Sequence, residues 1–292
     1  MKFVMQSKIK SLELFHQGKV RDTYIVDDYH FLMITSDRIS AFDVIMNQEI
    51  KEKGKILSHI SNFWFKKTSS IIKNHLTQIN PEDVVAFDEK ELVKNRSVIV
   101  KRLKPVPIEA IVRGYLTGSG WKDYQLTGRI CNIELPKGIQ QAEKLNEPLF
   151  TPSTKANVGD HDENISFEVM SKVIGSDLAS LIKKTSIDLY KFARDYALQK
   201  KIIIADTKFE FGLDNDGDLV LMDEILTPDS SRFWDMEAYQ LGTSPHSFDK
   251  QYLRDWLELS GWNKKPPPPN LPEEVIQKTI EKYQYVERLL LS

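Results

Sequence analysis

The sequence predicts an α+β protein of two lobes, and three observations carry that reading. Short β-type runs dominate residues 12–103, the segment Lys104-Pro105-Val106-Pro107 interrupts them with two prolines, and the remainder alternates helical stretches with one hairpin. Length agrees, since 292 residues is about twice the ~150 that serve as a soft prior for one domain. The expected division falls near residue 104, with 1–104 a mainly antiparallel β lobe and 105–292 an α+β lobe that ends in helices.

Each element follows from its local pattern. Runs 12–15, 23–26, 31–35 and 97–103 cluster or alternate apolar residues as strands do. Leu57, Ile60, Trp64 and Ile71 recur at roughly helical spacing and place one helix over 56–72. Asn80-Pro81-Glu82-Asp83 is a turn. Pro105 and Pro107 have no N–H to give a sheet, so 104–107 reads as an extended connector. Stretches 166–174 and 176–200 are helical, with Gly175 between them, Ser176-Asp177 capping the longer one, and Leu178, Leu181, Ile182, Leu189 and Phe192 as its stripe. Residues 266–269, four prolines, form a stiff extended spacer. It leads to a last helix from about Pro272, acidic at Glu273 and Glu274, with Ile276, Ile280, Tyr283 and Leu290 on one face.

Composition narrows the function. Lys plus Arg number 40 and Asp plus Glu 42, a formal charge of −2, and 41% hydrophobic residues are too many for a disordered chain. Without a basic excess, tight non-specific nucleic-acid binding is not expected. Cys131 is the only cysteine, which suits a reducing compartment, and no apolar run approaches the ~20 residues of a membrane span. Residues 1–10 carry charge throughout and lack an export signal's apolar core. The expectation is a cytoplasmic protein with no membrane partner.

The most informative stretch is 202–227. An apolar run, 202–205, feeds Asp206-Thr207-Lys208-Phe209-Glu210-Phe211-Gly212, and after the acidic residues 214–218 a second apolar run returns. Asp216-Gly217 is a favoured two-residue hairpin turn. With Asn215 paired to Asp218, Glu210 falls opposite Asp223, and the period of two puts Asp206, Lys208 and Glu210 on one face and Phe209 and Phe211 on the other. Directly opposed carboxylates repel by about 3 kcal/mol at an effective dielectric of about 20. A divalent cation such as Mg²⁺ relieves this, because it takes oxygen ligands from one or two carboxylates together with substrate phosphates. Lys208 would add a point charge for a phosphate. The same alternation suits a solvent-facing polar side of a hairpin, so the residues alone leave both readings open.

Other segments suit anions. Gly18, Lys19, Val20 and Arg21 lie between two β runs, where a hairpin tip brings backbone N–H groups and two cations onto a polyphosphate, or is simply a solvated turn. Residues 112–121, VRGYLTGSGW, combine three glycines with Arg113 and read as a loop whose backbone approaches an anion, the alternative being a flexible surface loop. Residues 227–232, TPDSSR, precede a helix expected from Phe233, whose N-terminal amides would meet a phosphate beside Arg232. Asp160-His161-Asp162 has one histidine and no partner at zinc-ligand spacing, so it reads as a polar substrate-facing loop that Lys155 joins.

Taken together, GKVRDTY (18–24), SDRISAFD (36–43), VRGYLTGSGW (112–121), FTPSTKA (150–156), HDENIS (161–166), IIADTKFEFG (203–212) and DEILTPDSSRFW (223–234) closely resemble the phosphoribosylaminoimidazole-succinocarboxamide synthase, or SAICAR synthetase, family. They run in family order over most of the chain. The resemblance implies a two-lobed fold related to protein kinases and ATP-grasp enzymes, with ATP in an interlobe cleft. It implies an ATP-dependent ligase of de novo purine biosynthesis whose partners are ATP, L-aspartate and carboxyaminoimidazole ribonucleotide, with Mg²⁺ as cofactor and an acyl phosphate as intermediate. By the same resemblance Gly18, Lys19, Val20 and Arg21 cover the phosphates of ATP, and backbone at Arg102, Leu103, Lys104 and Val106 meets the adenine. Lys208 and Glu210 bind nucleotide, Glu210 and Asp223 hold the metal, and Lys208, Glu210 and Asp223 form the catalytic set. Arg113, Ser119 and Arg232 bind the ribonucleotide, Asp206 is a substrate-binding residue, and Lys155, Asp160 and Asp162 fall in a substrate-binding segment. The stretch 244–256 fits a longer, eukaryote-like subgroup and offers Lys250, Gln251 and Arg254 as phosphate ligands. The residues alone also admit a small-molecule kinase or a catalytically silent nucleotide-binding regulator.

Overall fold

The computed structural model describes residues 9–155, 163–245, 247, 248 and 250–292. These fall into two compact units: the described residues of Met1–Phe63, His75–Arg102 and Phe248–Ser292 form one, and those of Trp64–Asn74 and Leu103–Ser247 the other.

The first unit is built on a four-stranded antiparallel sheet in the order Glu13–Gln17, Arg21–Ile25, His30–Thr35, Ser97–Lys101. Period-two alternation buries Tyr24, Leu32, Ile34 and Ile99 against Ile9 and Val93. A ribbon of Arg38–Ala41 and Val44–Glu49 follows. The helix Glu273–Leu291 turns Val275, Thr279, Ile280, Tyr283, Val286 and Leu290 inward, close to the expected stripe. This closing segment is tied to the first unit by Gln48 Oε1 accepting from the Leu271 N–H at 3.0 Å and by His59 Nδ1 lying 2.7 Å from Glu287. The chain therefore returns to the unit in which it began, where the sequence suggested a single division near 104. The chain bends over 264–267, which takes in the first two of the four prolines expected to form an extended spacer.

The second unit centres on Ile202–Leu213, a strand whose twelve residues are nearly all buried. Its sheet runs Lys144–Phe150, Ile108–Tyr115, Ile202–Leu213, Leu219–Met222, with Ser231–Asp235 and Lys104–Pro105 also paired to the central strand. The proline connector is thus stitched to the sheet: Pro105 lies opposite Gly212, and Val106 donates to the Phe211 carbonyl at 2.9 Å. Helices Phe167–Ile174 and Ser176–Gln199 are present as expected, the first capped by Ser166 accepting from the Val169 N–H at 3.3 Å. The longer one starts from Gly175 with no side-chain cap, and its inward face carries Ala179, Ile182, Leu189, Tyr190, Ala193 and Ala197 while Leu181 and Phe192 are exposed.

Three expectations are corrected here. Glu210 lies opposite Met222, not Asp223. The reason is the turn: the Asp214 carboxylate accepts from the Asp216 and Asp218 amides at 3.1 and 2.9 Å, and the Asp214 N–H donates to the Asp218 carbonyl at 3.1 Å. Three residues are thereby enclosed instead of two, with Gly217 left-handed at φ +83°. Phe233 starts no helix, since Ser231–Asp235 is a strand in which Phe233 faces Ile204. Nor are residues 112–121 a loop: Arg113 lies within the strand Ile108–Tyr115, and the helix Gly118–Thr127 follows directly.

Candidate active site

One face of the central strand gathers nearly all the charged candidates of this unit. At Asp206 both neighbouring strands contribute an arginine in direct register, Arg113 on one side and Arg232 on the other. Arg113 Nη1 lies 3.2 Å from Asp206 Oδ2, and Arg232 Nη1 bonds the same oxygen. Arg113 is further held by donation from Nε to Thr151 Oγ1 at 3.0 Å and from Nη2 to Ser119 Oγ at 3.1 Å. Burial draws the Arg113 pKa below the ordinary arginine value, with Asp206 opposing that pull, but a guanidinium stays charged at neutral pH. Two guanidiniums thus meet on one carboxylate. Arg113 is 3% exposed and Arg232 24%, so Arg232 is the more open of the two to a ligand.

The glycines nearby make room for these side chains. A Cβ on Gly118 would stand 2.4 Å from Arg232 Nη2, and one on Gly114 would stand 1.8 Å from the Tyr190 hydroxyl. Gly118 is also left-handed at φ +59°, where the helix Gly118–Thr127 begins. The helix N-terminus beside Arg232 is therefore this one, with Ser119 in its first turn, and its first-turn amides and dipole favour an anion.

Two and four residues along the same face the balance reverses. Lys208 Nζ lies 2.5 Å from Glu109 Oε1 and 2.9 Å from Glu210 Oε1, and Lys155 Nζ lies 2.7 Å from Glu210 Oε2. Burial opposes the charge on Lys208, but Glu210, Glu109 and Asp223 outweigh it and raise its pKa. Burial likewise opposes the charge on Glu210, yet Lys208 and Lys155 hold its carboxyl well below the usual range. Asp223 acts on both lysines although it lies one residue past the strand Leu219–Met222. Its backbone is left-handed, φ +68°, and cross-strand pairing does not set it opposite Glu210. Phe209 and Phe211 face the opposite way and are buried, as the period of two requires.

Glu109 was missed in the sequence although a signal existed: in Ile108–Tyr115 the alternation that places Arg113 on one face puts Glu109 on the same face. Thr151 carries no such signal. Asp160 and Asp162 lie outside the described residues. Gly18, Lys19, Val20 and Arg21 do close a hairpin, between Glu13–Gln17 and Arg21–Ile25, with the Gly18 N–H donating to the Arg21 carbonyl at 2.7 Å and Lys19 paired to Asp43. The Arg102 N–H is taken by the Tyr29 carbonyl at 2.7 Å, and its guanidinium stacks 4.6 Å from the Phe31 ring centroid. Leu103 packs against Gly212, where an added Cβ would come within 2.8 Å of the Leu103 Cβ, and Lys104 pairs with Leu213.

A sheet face that is cationic at one end and carries lysine-bridged acids at the other is the equipment of an enzyme that handles phosphorylated anions. The chain belongs to the SAICAR synthetase family, whose profile matches residues 14–269. A phosphoribosylaminoimidazole-succinocarboxamide synthase of Methylobacillus flagellatus is 59% identical over 282 residues, covering 96% of this chain and 95% of that one. Among solved structures, a SAICAR synthase from Saccharomyces cerevisiae complexed with SAICAR is 41% identical with a TM-score of 0.90, covering 98% of this chain and 97% of its own. A type-2 SAICAR synthetase in complex with ADP is 26% identical with a TM-score of 0.71, over 95% and 97% of the two chains.

Proposed function

We propose that this protein joins the amine of L-aspartate to the carboxylate of carboxyaminoimidazole ribonucleotide at the expense of ATP, giving SAICAR, ADP and phosphate in purine biosynthesis. The observation that carries the reading is the shared face of Ile202–Leu213 in a chain of this family, with Arg113 and Arg232 on Asp206 at one end and Lys155, Lys208 and Glu109 around Glu210 at the other. The mechanism follows from charge. A carboxylate resists an amine because it is anionic and would have to expel oxide. Transfer of the terminal phosphoryl group makes an acyl phosphate, and the amine then attacks its carbonyl carbon, forming the C–N bond as the C–O bond to phosphate breaks and the amine sheds a proton.

In this reading Arg113, Ser119 and Arg232 take the ribonucleotide, with Asp206 holding both guanidiniums in place. Lys208 meets the transferring phosphoryl group, the residues 18–21 cover the triphosphate, and backbone about 102–106 meets the adenine. Lys155 joins the substrate-binding segment. Among the described residues no group of three or more His, Cys, Asp or Glu is arranged to hold a metal unaided. The donor chemistry nevertheless fits Mg²⁺, which needs only one or two carboxylates besides ligand oxygens, and Glu210 and Asp223 would supply them. When bound, the ion neutralises charge on the phosphates. We assign the enzyme to the cytoplasm, in keeping with its lone cysteine; among the described residues no helix is long and apolar enough to cross a membrane.

Product analysis tests the reaction. ADP release that requires both aspartate and the ribonucleotide, with one SAICAR formed per ADP, is expected; a stable phosphorylated product formed without aspartate would contradict ligation and indicate a kinase.

A further inference from the structure

The segment SDRISAFD, residues 36–43, is used by none of the chemistry above, yet it grips the turn at 18–21. The Ser36 N–H and hydroxyl both donate to the Val20 carbonyl, at 2.9 and 2.7 Å. Arg38 Nε donates to the Lys19 carbonyl at 3.1 Å and Nη2 to the Gly18 carbonyl at 3.2 Å. With the Gly18 N–H on the Arg21 carbonyl, every carbonyl from 18 to 21 is occupied by a donor of the protein. A backbone that is to meet an anion must turn its carbonyl oxygens away and leave its amides and cations forward. Among the described residues neither the Lys19 nor the Val20 N–H has a hydrogen-bond acceptor.

The clamp itself is fixed from behind its guanidinium. Arg38 Nη1 and Nη2 donate to the two carboxylate oxygens of Asp22 at 3.0 and 2.6 Å, and the two side chains are 3% and 1% exposed. A buried ion pair is poor evidence of stability gained, because replacing both partners by apolar groups is often neutral, so its value here is geometric. The planar fork makes four donated bonds at once, which a lysine cannot reproduce.

We propose that Arg38, locked by Asp22, is a positioning residue that holds the 18–21 turn with its carbonyls averted, so that the turn is preorganised for the phosphates of ATP. This rests on the reading of that turn as the phosphate cover. The test uses the full-length enzyme with Arg38→Met/Asp22→Leu, which removes both buried charges together. The double variant is expected to keep its circular dichroism and thermal midpoint, while KM for ATP rises about tenfold and KM for aspartate, KM for the ribonucleotide and kcat at saturating ATP stay within about twofold. Arg38→Lys should show the same selective rise. An unchanged KM for ATP in the folded double variant, or parallel losses in all parameters, overturns the proposal; if that variant does not fold, Arg38→Lys and Ser36→Ala decide by the same split. Gly18→Val separates the two layers, because its Cβ would meet the Arg21 carbonyl at 2.9 Å and disturb the turn directly. A raised KM for ATP in Gly18→Val with none in the Arg38 variants refutes the clamp alone, and no change in Gly18→Val refutes the turn as phosphate cover.

Discussion

The two ends of one face of Ile202–Leu213 use the same side-chain types for opposite purposes. At Asp206 a single acid is shared by Arg113 and Arg232, whose charges do not titrate near neutrality. At Glu210 three acids, counting Glu109 and Asp223, meet two lysines. At the first end two guanidiniums thus share one carboxylate, and at the second two ammoniums share Glu210. In the proposed reading, alternation along one strand serves two substrates: the strand fixes the spacing, and its neighbours fix the sign.

Removing the acid at the second end should have the largest effect. Glu210→Gln, or Asp223→Asn, is expected to lower Mg²⁺-dependent turnover by about 10³-fold while the protein stays folded, as loss of a group that stabilises developing charge does. Near-wild-type rates in both variants would end the distinction between the two ends. Arg113→Lys should act at the other end, raising KM for the ribonucleotide about 100-fold with ATP KM little changed, because an ammonium cannot replace the fork that spans Asp206, Thr151 and Ser119. A smaller effect sharpens the comparison through pH. The folded Glu210 carboxyl titrates below its ordinary value of 4.5, so its ion pairs contribute stability in full above about pH 4.5 and lose it as pH falls, by up to about 1.4 kcal/mol per unit. Denaturant titrations should show the wild-type advantage over Glu210→Gln shrinking below pH 4.5 and constant above it, whereas an Arg113 variant should show no such slope from its own charge.

How much of this was legible depends on the range of the interactions involved. The face shared by Asp206, Lys208 and Glu210 was readable because alternation is a property of the strand itself, and the Lys208–Glu210 ion pair at 2.9 Å agrees with it. Register was not readable, because it turned on the Asp214 carboxylate choosing the amides of 216 and 218, and Asp-Gly fits both a two-residue and a three-residue turn. Asp223 lies one residue past the strand Leu219–Met222 with a left-handed backbone, which no spacing rule contains. The stretch TPDSSR looks like a helix cap, yet Ser231 bonds the Thr207 hydroxyl at 2.8 Å across strands and the chain continues as sheet. In VRGYLTGSGW the glycines were attributed to an approaching ligand, but two of them are demanded by Tyr190 and Arg232, residues distant in sequence. The chemistry came from the seven family-like segments; the pairing of each acid with its cations came from the structure.

The direct test of the central claim is an anomalous difference map from crystals of the enzyme with a non-hydrolysable ATP analogue, the ribonucleotide and Mn²⁺ in place of Mg²⁺. The account predicts a peak about 2.1 Å from carboxylate oxygens of Glu210 and Asp223, the distance of a small hard divalent ion. A fully occupied peak with neither acid among its ligands would contradict it.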